Sequence, residues 1–193
     1  RNAAIVLTAS QPFTTALIAS NMKEFRYSWV WDKVRGVGFQ IAKFRPMMRT
    51  EDVVVFGNGN GALATYNPQM VERDKIKKSK CYSSSDSSPL AYNDGLEREY
   101  TNKYPTNVIE VSNASQKGKV HPTQKPVALM EYLIRTYTQP GEVVLDNCMG
   151  SGTTGVACMN LGRKFIGIER EPKYFDIACR RIEDAQRQAR LIA

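Results

Sequence analysis

Three glycines and two carboxylates in the last third of the chain have types and spacing that suit ligand binding. Gly150, Gly152 and Gly155 follow the G-x-G-x-x-G pattern, with Asp146 before them and Glu169 about 20 residues further on. Glycines allow a sharp turn with no Cβ in the way of a ligand, and the N–H groups of a following helix face that turn. A carboxylate at the place of Glu169 accepts hydrogen bonds from ribose hydroxyls. The pattern therefore predicts a site for a nucleoside-bearing ligand; the alternative is a tight strand–helix connection that binds nothing.

The elements that position these residues alternate between strands and helices. Around the glycines, the apolar runs at 143–145 and 165–168 predict two strands, and 153–161 predicts the helix between them. In the rest of the chain we predict strands at 3–8, 27–31, 52–56 and 108–111, and helices at 14–22, 127–137 and 174–191. Such alternation is typical of an α/β fold.

Two further groups of residues are candidates for the site. Trp31 and Lys33, at the end of an aromatic strand, could face a substrate base and a phosphate; the alternative is a core tryptophan and a solvated lysine. His121 opens the segment HPTQKP and, taken alone, is typical of an ordinary loop histidine. Pro126 closes this segment and suits the first position of the next helix, where its absent N–H is not needed.

Composition narrows the class of protein. The chain has 193 residues, a formal net charge of +8 and a pI of about 9.4, which favours a polyanionic partner such as nucleic acid. No apolar run approaches the roughly 20 residues that span a bilayer. The four cysteines lack C-x-x-C spacing, and the chain has only one histidine. This pattern argues against a zinc site and against a disulfide framework, and it fits a reducing cytoplasm. We expect one cytoplasmic domain, no metal and no membrane segment.

Residues 66–107 differ in composition from the rest of the chain. They show no apolar periodicity, and serine, lysine, asparagine and tyrosine dominate. Lys75, Lys77, Lys78 and Lys80 cluster there. A solvated, mobile insertion is one interpretation. A region that contacts DNA phosphates and helps to choose a DNA site is the other.

The combination resembles the S-adenosylmethionine-dependent DNA amino-methyltransferases, and more closely their permuted (beta-class) group, in which the catalytic half precedes the cofactor half. LDNCMGSGTTG at 145–155 is similar to that family's D-P-F-x-G-S-G-T-T loop, although Asn147 and Cys148 replace the usual Pro-Phe. FIGIE at 165–169 and HPTQKP at 121–126 match two further signatures in the expected order.

The resemblance implies a Rossmann-like methyltransferase fold in a single domain, 1–193, with a mostly parallel central sheet, helices on both faces and a permuted strand order. It implies catalytic-half elements in 1–65, a DNA-recognition insertion in 66–107 and a cofactor half in 108–193. It also implies S-adenosyl-L-methionine as the cofactor and double-stranded DNA as the partner. A cognate restriction endonuclease and a homodimer remain open. The residues that it assigns to the cofactor are His121, Thr123, Lys125, Pro126, Asp146, Asn147, Cys148, Met149, Gly150, Ser151, Gly152, Thr153 and Glu169.

One family signature is not found in the chain. The family holds the target amine with a (Asp/Asn/Ser)-Pro-Pro-aromatic tetrapeptide, but none of the nine prolines here is adjacent to another. In the permuted order this tetrapeptide precedes the first strand, so the catalytic residues remain unassigned. Its strand would lie in the middle of the sheet, beside the strand at 143–146, where a vacancy exposes two edges. We therefore expect a truncated copy of a longer enzyme, and an inactive one if the chain is whole.

The residues before the cysteines narrow the choice of the atom that is methylated. Methylation at cytosine C5 needs a thiolate, which the C5-methylating family takes from a Pro-Cys pair, and no cysteine here follows a proline. An exocyclic amine of a flipped base attacks the cofactor methyl directly. We favour adenine N6, the commoner target, over cytosine N4. A nicotinamide-dependent dehydrogenase and an inactive DNA- or cofactor-binding fragment are the remaining alternatives.

Overall fold

A computed structural model describes residues 3–57, 63, 65–80, 97–113 and 120–192. The chain divides into a larger unit, residues 1–67 and 107–193, and a smaller one, 68–106. The strands are β1 (Ile5–Ala9), β2 (Phe25–Val37), β3 (Met48–Phe56), β4 (Val71–Lys80), β5 (Glu97–Lys103), β6 (Val108–Glu110), β7 (Val143–Asp146) and β8 (Lys164–Gly167). The helices are α1 (Phe13–Ser20), α2 (Val127–Tyr137), α3 (Thr153–Asn160) and α4 (Pro172–Ile192).

The larger unit contains a four-stranded sheet of order β1-β3-β2-β6. β3 runs antiparallel to both of its neighbours, whereas β2 and β6 are parallel. β1, β2 and β6 consequently point the same way, and β3 alone among them is reversed. The reason is the connection: a short loop joins β2 to β3 and permits only an antiparallel pair, while α1 provides the crossover from β1.

Both faces of the sheet are covered at β3, which explains the continuous apolar run in this strand. Val53 and Val55 pack with Trp29, Trp31 and helix α2 on one face. Val54 and Phe56 pack with α1 on the other. The aromatic residues at 27, 29 and 31 do share a face, as their spacing predicts.

The second sheet of the larger unit is the parallel pair β7-β8. Val144 and Phe165 on one face pack with α2 and α3. The opposite face is exposed and apolar; it consists of Val143, Leu145, Ile166 and Ile168. Among the described residues, β7 pairs with β8 alone.

Several predictions about the fold need correction. The mostly parallel central sheet is not confirmed, since the described strands form three separate sheets with mixed directions. β2 and β3 are longer than predicted, because their pairing continues past the apolar residues to Val37 and Met48. Pro126 has extended backbone angles and lies one residue before α2, not in its first turn.

The smaller unit is built on the antiparallel pair β4-β5, which the sequence pattern did not predict. Its strands consist mainly of charged and polar residues with few apolar ones, so apolar residues do not recur at every second position. Cross-strand ion pairing replaces apolar contact here: Lys78 lies opposite Glu99, and their charged atoms are 2.6 Å apart.

A buried hydroxyl holds α2 to the four-stranded sheet and gives a test of this packing. The indole N–H of Trp29 donates to the Tyr137 hydroxyl oxygen at 2.6 Å, and the Tyr27 hydroxyl lies 3.0 Å from the same oxygen. Burial first, and then the hydrogen bond with Tyr27, raises the pKa of Tyr137, so this hydroxyl stays neutral.

We predict that Tyr137→Phe lowers the free energy of unfolding by about 1–3 kcal/mol, because the Trp29 N–H is left buried without its acceptor. Urea denaturation measures the change. Tyr104→Phe, on a side chain that is largely exposed, is the matched control and should be neutral. Equal stability of the two variants would contradict the buried hydrogen bond.

Candidate functional site

The glycine loop connects β7 to α3, and two of its glycines adopt left-handed backbone angles. Gly150 has φ +53° and Gly152 has φ +76°, which side chains rarely permit. Gly155 is required for a different reason: a Cβ there would lie 2.8 Å from both Ile182 Cγ1 and Phe165 Cε1. Gly150 and Gly152 thus provide the turn that the sequence pattern predicts, and Gly155 permits close packing of α3 against α4 and β8, which was not predicted.

Two carboxylates hold this loop from the ends of the two parallel strands. Asp146 accepts hydrogen bonds from the Cys148 N–H (3.1 Å) and from the Thr154 hydroxyl (2.6 Å). Glu169 accepts from the Gly150 N–H and the Glu171 N–H, both at 2.9 Å. These bonds, that from Glu171 foremost, lower the pKa of Glu169 below its ordinary value. Glu169 is therefore ionised at neutral pH. The carboxylates of Asp146 and Glu169 both retain acceptor positions for a ligand.

The HPTQKP segment lies against the loop. A Cβ on Gly150 would be 3.7 Å from the ring of His121, so the imidazole contacts the turn directly. The same ring packs edge-on against Tyr174 of α4, with centroids 4.2 Å apart. Its Nδ1 atom lies 3.1 Å from the exposed Thr123 hydroxyl. His121 and Thr123 thus lie beside the glycines.

Gln124 and Ser151 join the segment to the loop through side chains. The Ser151 hydroxyl donates to Gln124 Oε1 at 3.0 Å, and Arg181 of α4 donates to the same hydroxyl oxygen at 2.9 Å. Ser151 is buried. Sequence reasoning assigned no role to Gln124, Arg181 or Tyr174; Gln124 lies inside the recognised segment, but nothing in the helix pattern of α4 singles out the other two.

Lys125, which the resemblance assigns to the cofactor, forms an ion pair with a residue of the four-stranded sheet. Its ammonium binds Glu51 of β3, whose other oxygen lies 3.1 Å from Lys33 Nζ. Both ammonium groups are close to the ring of Trp31, at 5.2 and 5.3 Å from its centroid. The cause is register: Trp31 pairs with Glu51 across the strands, so the carboxylate faces the indole and draws both lysines to it.

Trp31 is correspondingly a core residue. Its side chain is 1% exposed, and its indole N–H donates to the Val111 carbonyl oxygen at 2.8 Å. Lys33 is buried too, neither solvated nor open to a ligand. The structure therefore supports the core alternative for Trp31 and gives no support to a base-facing role for either residue.

The remaining predicted residues contribute in different ways. Met149 and Thr153 have buried side chains, and Pro126 is buried just before α2. These three residues pack inside the protein. Asn147 and Cys148 are exposed on the loop. Partial burial, and then the charges of Asp146 and Glu169, raise the pKa of the Cys148 thiol, which makes it a poor nucleophile.

The lysines predicted to bind DNA lie on β4 of the smaller unit. Lys75 and Lys77 are exposed, and Lys78 is exposed but paired with Glu99. The side chain of Lys80 lies outside the described part of the chain. Within that part, no cluster of three His, Cys, Asp or Glu residues suits a metal ion, and no helix is long and apolar enough to cross a membrane.

Comparison with known proteins identifies the family. Residues 5–180 match the profile of a family described as DNA methylase, of the N6/N4 methyltransferase type. The chain belongs to the N6/N4 DNA methylase family.

Individual members of this family resemble shorter stretches. A stretch of 63 residues, 33% of the chain, is 52% identical to the type II methyltransferase M2.DpnII of Streptococcus pneumoniae, and covers 24% of that protein. A stretch of 66 residues, 34% of the chain, is 48% identical to the type II methyltransferase M.HinfI of Haemophilus influenzae, and covers 18% of it. The matches thus span a quarter or less of these relatives.

Solved structures of methylases resemble most of the chain. The M1.HpyAVI–SAM complex superposes with a TM-score of 0.66 and 28% identity, over 93% of this chain and 74% of that one. The PvuII DNA methyltransferase, cytosine-N4-specific, gives a TM-score of 0.64 with 18% identity, over 96% and 69% of the two chains. The second likeness concerns the fold alone.

The Glu51 cluster gives a test of how the HPTQKP segment is held to the sheet. We predict that Glu51→Gln lowers the free energy of unfolding by about 3 kcal/mol, because the buried ammonium of Lys33 and the partly buried ammonium of Lys125 lose their shared partner. The exposed pair Asp184–Arg187 provides a matched carboxyl-to-amide control. Asp184→Asn should cost less than about 1 kcal/mol. A similar small cost for both variants, measured by urea denaturation, would show that the cluster is not a buried anchor.

Proposed function

We propose that this methylase-family chain uses S-adenosyl-L-methionine to methylate the exocyclic amine of a flipped base in double-stranded DNA, with adenine N6 as the target. The observation that carries the proposal is the glycine loop between two acid-ended parallel strands, with His121 packed against its turn. A solved methylase of 28% identity, the M1.HpyAVI–SAM complex, contains this cofactor.

The residues of the site fit such a cofactor. Glu169 uses each carboxylate oxygen once, for the N–H groups of Gly150 and Glu171, and its remaining lone pairs suit the two ribose hydroxyls. The positive φ of Gly150 disfavours any side chain there, so the backbone of the turn stays accessible to a ligand beside His121. His121 and Thr123 border the methionine end in this proposal, whereas Lys125 is committed to Glu51.

The bound cofactor would supply an electrophilic methyl group on a sulfonium sulfur. The protein's part is orientation: the loop and Glu169 hold the nucleoside, and the amine attacks in line once the base has left the stack. No metal and no covalent enzyme intermediate are needed for this transfer.

Three alternatives remain to be separated from this proposal. Cytosine N4 as the target is distinguished by mass analysis of the methylated nucleosides. A nicotinamide-dependent dehydrogenase would bind NAD instead of S-adenosylmethionine. An inactive binding fragment would bind cofactor or DNA with no methyl transfer.

We predict that Asp146→Ala and Glu169→Ala each weaken S-adenosylmethionine binding by roughly tenfold or more, because each removes acceptors that order the loop or meet the ligand. Calorimetry measures the affinity. Glu171→Gln is the control, since this neighbouring carboxylate is exposed and only its backbone N–H meets Glu169. Binding of NAD by the wild-type chain, with no binding of S-adenosylmethionine, would refute the proposal.

For DNA, we predict that replacing Lys75, Lys77 and Lys78 with glutamine reduces the slope of log affinity against log salt. Each lysine that neutralises a phosphate contributes about 0.9 to that slope in duplex DNA. Lys78 should contribute least, because it is paired with Glu99. Lys23→Gln, an exposed lysine of the larger unit, is the control. An unaltered slope in the triple variant would mean that these lysines are only a solvated face.

A further inference from the structure

The connection between β2 and β3, taken together with the strand ends beside it (residues 34–49, called the β2–β3 loop below), exposes several apolar side chains that no role in the cofactor site explains. Phe44 is 88% exposed and Phe39 is 78% exposed. Val34, Val37, Ile41, Met47 and Met48 are also exposed. Apolar surface of this extent on one connection marks an interaction site.

The same stretch is strongly basic. From Lys33 to Thr50, both included, the sequence holds five cationic residues and no acidic one. Lys33 and Arg49 are paired with Glu51 and Asp32. For Arg35, Lys43 and Arg45 no ion pair occurs within the described part of the chain. The loop therefore combines three available cations with two exposed phenyl rings.

Hydrogen bonds hold the loop in this shape. Asp32 accepts from the Val34 N–H at 2.8 Å and from Arg49 Nε at 2.7 Å, which closes the base of the loop. Farther out, the Phe44 N–H and the Arg45 N–H both donate to the Ile41 carbonyl oxygen, at 3.0 and 3.2 Å. The phenyl ring of Phe44 is thus presented by an ordered turn.

The loop also begins beside the cofactor segment. It follows directly from Lys33 on β2 and leads back to Glu51 on β3. Glu51 binds the ammonium groups of both Lys33 and Lys125. The neighbouring Gln124 binds Ser151 of the glycine loop. Contacts among a few side chains therefore link the base of the β2–β3 loop to the site where the methyl donor is proposed to bind.

We propose that the β2–β3 loop is a DNA-contacting surface next to the target base: Arg35, Lys43 and Arg45 bind phosphates, and Phe44, assisted by Phe39, stacks on or wedges between bases. Charge complementarity favours this partner, because a second copy of a chain with net charge +8 would be repelled by the same cations. Apolar wedges flanked by cations open base steps in other DNA-binding proteins. The inference rests on the proposed function, which makes duplex DNA the substrate.

The test compares two sets of variants of the whole chain on one DNA duplex with 2-aminopurine at a candidate target base. Phe39→Ala with Phe44→Ala should lower DNA affinity by roughly tenfold or more, reduce the 2-aminopurine fluorescence change, and leave the salt slope unaltered. Arg35→Gln, Lys43→Gln and Arg45→Gln together should reduce the magnitude of the slope of log DNA affinity against log salt by up to about 3. Leu191→Ala, an exposed apolar residue of α4, and Lys23→Gln are the matched controls.

Calorimetry with S-adenosylmethionine separates the two proposals. Unchanged cofactor affinity in both variant sets, with impaired DNA binding, supports the loop as a DNA surface. DNA affinity and slope equal to wild type in both sets would overturn it, while wild-type binding of the cofactor would leave the proposed function standing. If the variants bind DNA like the wild type but lose self-association, the loop is an interface between copies of the chain. If they lose binding to anionic phosphatidylserine vesicles instead, it is a membrane-binding surface. Either result would overturn the assignment to DNA.

Discussion

Packing on helix α2 is the constraint on which the larger unit depends. Leu129, Leu133 and Tyr137 bury one side of the helix against the four-stranded sheet. Ile134, on another side, packs with α3 and the strands β7 and β8. The two sheets are not hydrogen-bonded to each other among the described residues, so this shared helix and the segment before it hold the glycine loop in place relative to Trp31 and β3.

The HPTQKP segment also connects the two sheets, through polar contacts to the glycine loop after β7 and to β3. Gln124 reaches the glycine loop, and its neighbour Lys125 reaches Glu51 in the sheet. The residues of this segment therefore have different partners: His121 and Gln124 contact the glycine loop, and Lys125 anchors the segment to the four-stranded sheet.

Sequence reasoning succeeded where residue type alone restricts the backbone or the environment. The glycine turn, its two acidic strand ends and the aromatic face of β2 belong to this class. It failed where the partner is distant or apolar periodicity is absent. Lys125 meets Glu51 across 74 residues of sequence, which no local pattern encodes. The β4-β5 pair is held by charged and polar residues, so the period that marks a buried strand does not occur.

The uncovered apolar side of β7 and β8 has a consequence for the behaviour of the chain in solution. Four large aliphatic side chains there meet water, and contact between molecules would release it. Mutual repulsion from the high positive charge opposes such contact over about 30 Å at 0.01 M salt but only about 10 Å at 0.1 M. Colloidal stability of the isolated chain is accordingly a balance between these two forces, and it declines as electrolyte is added.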